Sequence, residues 1–178
     1  ARDVRGWPGE LWARDVAVAP PFLPGAGSGP LAVAGTVNDM STSGATPLYL
    51  TVGFVLEEGL MLEDLRRILD SMATVAVEAG VRIVTGDTKV VERGACDQMY
   101  ICTAGVGVLD DRTTLSPSSL KPGDKILVSG RICDHGTAIM LARGEFELDA
   151  DITSDTQCLW PMVDTLLDPA RPSPPLLR

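Results

Sequence analysis

Two carboxylates and one ammonium group stand where they could do chemistry. The run Val84-Thr85-Gly86-Asp87-Thr88-Lys89-Val90-Val91 follows a predicted helix and reads as a strand running into a turn. Upstream, Gly35-Thr36-Val37-Asn38-Asp39 supplies the second acid. Magnesium takes hard oxygen ligands and is usually held by one or two carboxylates plus phosphate oxygens. Asp39 and Asp87 are therefore candidate metal ligands, and the chemistry they suggest is polyphosphate binding. Gly86 would let a ligand approach the backbone, Thr88 can donate a hydrogen bond, and Lys89 can neutralise phosphate as a point charge. The alternatives are a solvated helix acid for Asp39 and an ordinary polar turn for residues 86–89. The glycine patterns of the P-loop and of the dinucleotide fingerprint are absent.

A further candidate is His135, the only imidazole, in Asp134-His135-Gly136. At a helix start it could contact phosphate or act as an acid or base, or simply cap the helix. Glu57-Glu58-Gly59 reads as a strand end and turn. Glu63 and Asp64 suit the positive end of the helix that follows them.

The elements that must position these groups are read from periodicity. Leu65, Ile68, Leu69, Met72, Val75, Ala76 and Ala79 predict a helix over 63–79, ended by Gly80. Leu48, Leu50, Val52, Phe54 and Leu56 alternate as a strand over 48–57. Strands are also predicted over 15–19, 81–85, 99–109 and 125–129. A helix starts near Ser28 and covers 31–43, with Gly44 at its end and a strand over 31–37 as the competing possibility. A further helix covers 134–143, with Asp134 as N-cap. Residues 1–14, 22–30 and 110–120 read as irregular, and the Pro-rich stretch 169–175 cannot be regular. This alternation of strands and helices is an α/β pattern. The 48–57 strand is apolar on nearly both faces, so each face wants cover. Helix 63–79 can cover one, and a second subunit is a reasonable cover for the other.

Composition narrows the function classes. Of the 178 residues 45% are apolar but only 4% aromatic, so the core must be aliphatic. The net charge is −9 with no basic run, which argues against nucleic acid as the main partner. No stretch approaches the roughly 20 apolar residues that span a bilayer, and the first residues lack a signal-peptide core. No membrane association and a cytoplasmic location are expected. Cys96, Cys102, Cys133 and Cys158 form no C-x-x-C pair, so a zinc site is not expected and a reducing compartment fits.

Taken together, Leu31-Ala-Val-Ala-Gly-Thr-Val-Asn-Asp39, Ser43-Gly-Ala-Thr-Pro-Leu-Tyr-Leu50, Gly53-Phe-Val-Leu-Glu-Glu-Gly59, Val84 to Val91 and Asp134-His-Gly136 resemble the HypE family of hydrogenase maturation factors. The likeness runs in one register from about Val16 to about Leu148. The Asn-Asp and Ser-Gly-Ala-x-Pro patterns are shared with the wider superfamily of aminoimidazole ribonucleotide synthetase-like (PurM-like) ATP enzymes. Gly-Asp-Thr-Lys-Val-Val is more specific to HypE and argues against a selenophosphate synthetase-like or thiamine-phosphate kinase-like protein.

The resemblance implies a PurM-like N-terminal domain whose sheet forms a barrel in a homodimer, followed by an incomplete PurM-like C-terminal domain. The expected division is 1–14 irregular, 15–112 N-terminal domain, 113–120 linker, 121–168 start of the second domain and 169–178 tail. It also implies ATP-dependent dehydration of a cysteine-borne thiocarboxamide to a thiocyanate, as a source of cyanide ligand for [NiFe]-hydrogenase. The implied cofactors are ATP and Mg2+. The implied partners are a HypF-like carbamoyltransferase and a HypC–HypD-like iron scaffold complex. By position, Asp39 and Asp87 would be metal and ATP ligands, Asn38, Gly86, Thr88 and Lys89 would line the nucleotide site, and Lys89 and His135 would be the catalytic groups. Three departures stand out. Arg14 falls where the family has Asp, Cys133 falls where Gly precedes Asp-His-Gly, and the family's C-terminal Pro-x-Cys is not found. A truncated, non-catalytic dimerisation module is the alternative that these departures suggest.

Overall fold

The computed structural model describes residues 10–16, 22–23, 26–109, 115–144 and 151–167. Strand β1 (Glu10–Val16) is followed by the short antiparallel pair β2 (Phe22–Leu23) and β3 (Ala26–Gly27). Helix α1 (Ser28–Ser41) leads through a turn to β4 (Ala45–Glu57), α2 (Leu62–Glu78), β5 (Arg82–Val91) and β6 (Met99–Leu109). Helices α3 (Asp134–Ala142) and α4 (Trp160–Leu167) complete the described elements.

The main sheet has the order β1-β6-β4-β5. Strand β4 is antiparallel to β6 and parallel to β5. A parallel pair needs a crossover, and α2 supplies it. Its Ile68, Met72 and Ala76 are buried, Glu63 and Asp64 occupy its first turn, and Gly80 ends it at φ +68.

Helix α1 packs centrally on one face of the sheet. Ala32, Val33, Val37 and Met40 are fully buried with Leu50 and Ile101. A helix buried on most sides is set by packing, which overrides the strand preference of Val33, Thr36 and Val37. The competing strand over 31–37 does not form. Thr103 of β6 donates to the Ala32 carbonyl at 3.2 Å and accepts the Thr36 hydroxyl, so both buried hydroxyls are satisfied. Opposite Met40, Gly105 leaves the space its thioether fills: a Cβ there would sit 2.6 Å from Met40 Cε.

The other face of the sheet carries no described element. Cys102, Tyr49, Val106 and Val108 lie on it and are exposed, Tyr49 by 42% and Val108 by 40%. The cover expected from helix 63–79 needs correction: the helix packed directly on β4 and β6 is α1, and α2 packs mainly against α1.

Several expectations need correction. Residues 10–14, read as irregular, form most of β1, because β6 offers a full antiparallel register from Glu10 opposite Gly107 to Val16 opposite Ile101. The strand expected over 15–19 contributes only its first residues, and 17–19 lie outside the described residues. The segment read as a loop over 22–30 contains β2 and β3, while α1 begins at Ser28 as expected. Gly86 to Lys89 are not a turn. Strand β5 continues to Val91, because β4 pairs with it in parallel through Glu57 opposite Val91. Cross-strand pairing overrides the turn preference of Gly and Asp. Residues 125–129 are not a strand: no described strand lies beside them, and Ile126 is 90% exposed. The N-cap of α3 is Cys133, and Asp134 is its first helical residue. Helix α4 was not expected, but Pro161 fits a first helical turn and Trp160 joins the main core. The stretches 110–114 and 169–178 lie outside the described residues. Among those described, no helix is long and apolar enough to cross a membrane.

At the far end of β4, Glu57 staples the β5–β6 connection. Its carboxylate accepts the Gly94 and Gln98 amides, the latter at 2.8 Å. These amides, Gly94 first, hold the carboxyl below its ordinary pKa despite the opposing effect of desolvation, with Arg93 adding to the depression. A depressed folded-state pKa favours the fold above the unfolded value and loses that contribution as pH falls through the folded one. Protection of the Gly94 and Gln98 amides against exchange should therefore fall selectively below about pH 4, and Glu57→Gln should lower it already at neutral pH.

Candidate functional site

Strand alternation decides where the two acids point. Val52 and Thr103 face α1. Gly53 and Cys102, one residue on, face away, and a Cβ on Gly53 would meet Cys102 Cβ at 3.8 Å. Asp87 is in register with Gly53, and Lys89 with Val55. Asp87 and Lys89 thus stand two residues apart on the open sheet face, beside the bare backbone of Gly53. Asp87 Oδ1 accepts the Thr88 amide at 2.8 Å, which orients the carboxylate. Thr88 pairs with Phe54 and belongs to the opposite face.

Asp39 lies on the other side of the sheet, in the last turns of α1. It lines a cavity of about 400 Å³ with Leu115, Pro117, Leu120, Leu159 and Val163. The structure therefore does not bring Asp39 and Asp87 together within one chain. Among the described residues, no group of three or more His, Cys, Asp or Glu is placed to hold a metal ion.

Two residues expected to line the nucleotide also have structural work. The Asn38 amide donates to the Gln157 carbonyl at 3.0 Å and accepts the Leu159 amide at 2.8 Å. It ties α1 to an extended segment 119–121 residues away. Gly86 makes room for the neighbouring strand: an added Cβ would collide with the Val52 carbonyl oxygen.

His135 sits in the first turn of α3, half-buried. Its ring Nδ1 lies 3.0 Å from Ser154 Oγ and 3.4 Å from Thr156 Oγ1, and its amide donates to Asp155 Oδ1 at 2.9 Å. Arg131 pairs with Asp134 at 2.6 Å beside a cavity of about 230 Å³ that Ser154 to Gln157 also line. Ser154, Asp155 and Thr156 were missed in the sequence. The only signal was a polar Ser-Asp-Thr run, with nothing to say that it folds back onto His135.

Cys133 takes φ +71, the left-handed region. The backbone at this position thus explains the Gly expected there from the resemblance. For a residue with a Cβ this conformation costs roughly 1–2 kcal/mol. Cys133→Gly should raise stability by up to about that amount, read as a higher thermal midpoint.

A helix-backed mixed sheet with an acid and a lysine on its bare face defines the class. Residues 10–109 match the family described as AIR synthase related protein, N-terminal domain, and the chain belongs to that family. Within it the chain is similar to the carbamoyl dehydratase HypE of Rhizobium leguminosarum bv. viciae, at 51% identity over 82% of this chain and 42% of that protein. A crystal structure of HypE in complex with ATP superposes with a TM-score of 0.84 at 46% identity, covering 95% of this chain and 50% of that one. The HypE of a HypE–HypF complex gives 0.83 at 49% identity over 89% and 52%. The chain thus spans about half the length of the HypE proteins it matches.

Proposed function

We propose that this chain is the nucleotide-binding part of a HypE-type carbamoyl dehydratase and works as a homodimer. The observation that carries the reading is the joint presentation of Asp87 and Lys89 on the open face of β5. The likeness to a HypE structure described as an ATP complex supports it. If Asp39 and Asp87 serve one nucleotide, they must come from two chains, because the sheet separates them within one. A second copy laid on the apolar open face would cover Tyr49, Val106 and Val108.

The donor set fits the expected ions. Two carboxylates match magnesium, and the Lys89 ammonium matches phosphate oxygen. When bound, ATP supplies the phosphoryl group that turns the thiocarboxamide oxygen into a leaving group. Lys89 would offset the charge on the transferred phosphate, and His135 would receive nitrogen protons from the substrate. The domain division at 113–120, a HypF-like carbamoyl donor, a HypC–HypD-like iron acceptor and a cytoplasmic setting belong to the same reading.

Calorimetry with Mg-ATP tests it. The wild-type chain should bind, and Asp87→Ala should bind on the order of ten- to a hundred-fold more weakly, the usual loss for one charge-assisted contact. Equal titrations of the two, or no heat from either, would point to a scaffold module without nucleotide chemistry.

A further inference from the structure

The segment from Ser154 to Leu159 has no regular secondary structure, yet it is fastened at both ends. At one end Asn38 grips it with both halves of its amide, through Gln157 O and Leu159 N, as a neighbouring strand would. Just beyond, Trp160 is anchored in the main core. At the other end Ser154, Asp155 and Thr156 surround His135, through its ring and its amide. The residue next to Asn38 on α1 is Asp39. One short strap therefore joins the element that carries a candidate nucleotide ligand to the candidate proton carrier in the second half of the chain.

The hydroxyls constrain the imidazole. Ser154 Oγ accepts the Thr156 amide at 3.1 Å and contacts Thr156 Oγ1 at 2.8 Å. A hydroxyl has one donor and two acceptor positions. One acceptor position is taken by that amide, so one donor and one acceptor position remain for Thr156 Oγ1 and His135 Nδ1. If Nδ1–H donates to Ser154, the serine proton passes on to Thr156, and every partner is satisfied. The same arrangement survives when Nε2 gains or loses a proton, because Nδ1–H donates in both charge states. The reverse arrangement would have to flip both hydroxyls on protonation. Among the described residues Nε2 has no hydrogen-bond partner.

We propose that Ser154 and Thr156 are positioning residues that hold His135 by Nδ1 and leave Nε2 as its working nitrogen, and that Asn38 sets the register of the strap carrying them. The inference rests on the reading of His135 as a proton acceptor. Asp155 on the ring's own backbone amide and the Arg131–Asp134 pair beside α3 are the charged groups around this turn.

His135 is the only histidine, so its ring nitrogens give one unambiguous pair of signals in a 15N-labelled chain. In the wild type the neutral ring should carry its proton on Nδ1. Ser154→Ala should return it to the Nε2-protonated form that free imidazole prefers, and Ser154→Thr should restore the wild-type signature. Asn38→Ala should move the ring toward the Ser154→Ala signature although it touches no atom of the histidine. Backbone amide spectra establish that each variant is folded. An Nε2-protonated ring in the wild type, or the same ring state in the wild type, Ser154→Ala and Asn38→Ala, would overturn the proposal. The comparison is made without nucleotide, so it decides the strap independently of whether calorimetry finds ATP binding.

Discussion

Mixing two dead chains should revive nucleotide binding. Asp39→Ala and Asp87→Ala each remove one carboxylate from every site of a dimer in which the two acids come from different chains. In a random mixture about half of the dimers pair one chain of each kind, and each of these has one intact site out of two. About a quarter of the wild-type Mg-ATP stoichiometry should therefore return, at wild-type affinity. Each variant alone should stay on the order of ten- to a hundred-fold weaker. A site built within one chain gives no recovery on mixing, whatever the ratio. The expectation rests on the register that puts Asp87 beside Gly53 and Cys102 on the open face, while Asp39 lines the cavity by Leu159 and Val163 on the helix side.

The second large effect is on assembly. Val106 lies on the open face opposite Tyr49, 37% exposed and outside the α1 core. Val106→Asp should leave the chain folded and abolish the dimer. Burying the exposed 37% of one valine side chain stabilises by about 0.5–1 kcal/mol, and two-fold symmetry counts it twice, so the loss weakens association by about five- to thirty-fold before the larger cost of a buried carboxylate is added. Sedimentation at micromolar concentration should show dimer for the wild type and monomer for the variant. A monomeric wild type would remove the two-chain site as well as the barrel.

What was legible in the sequence follows from how local each signal is. Helix α2 and strands β4 and β6 were readable because a period of three to four or of two repeats over many residues. Helix α1 was ambiguous, because a helix buried nearly all round loses its amphipathic stripe. Strand β5 was cut short at Gly86-Asp87, where residue preference points to a turn and only the β4 ladder keeps the chain extended. The whole of β1 was nearly lost, since its pairing with β6 spans most of the domain in sequence. The site was legible in its residue types but not in its geometry. Nothing local reveals that a sheet stands between Asp39 and Asp87, that Asn38 is a clamp, or that Gly86 accommodates Val52. Cys133 went the other way: the departure noticed in the sequence marks a left-handed backbone position.

Because Val106→Asp keeps Asp39, Asp87 and Lys89 in every molecule, Mg-ATP calorimetry on that enforced monomer separates the residues from their assembly. A nucleotide site shared between two copies requires the binding heat to vanish with the dimer. Undiminished binding by a chain that sediments as a folded monomer would contradict it.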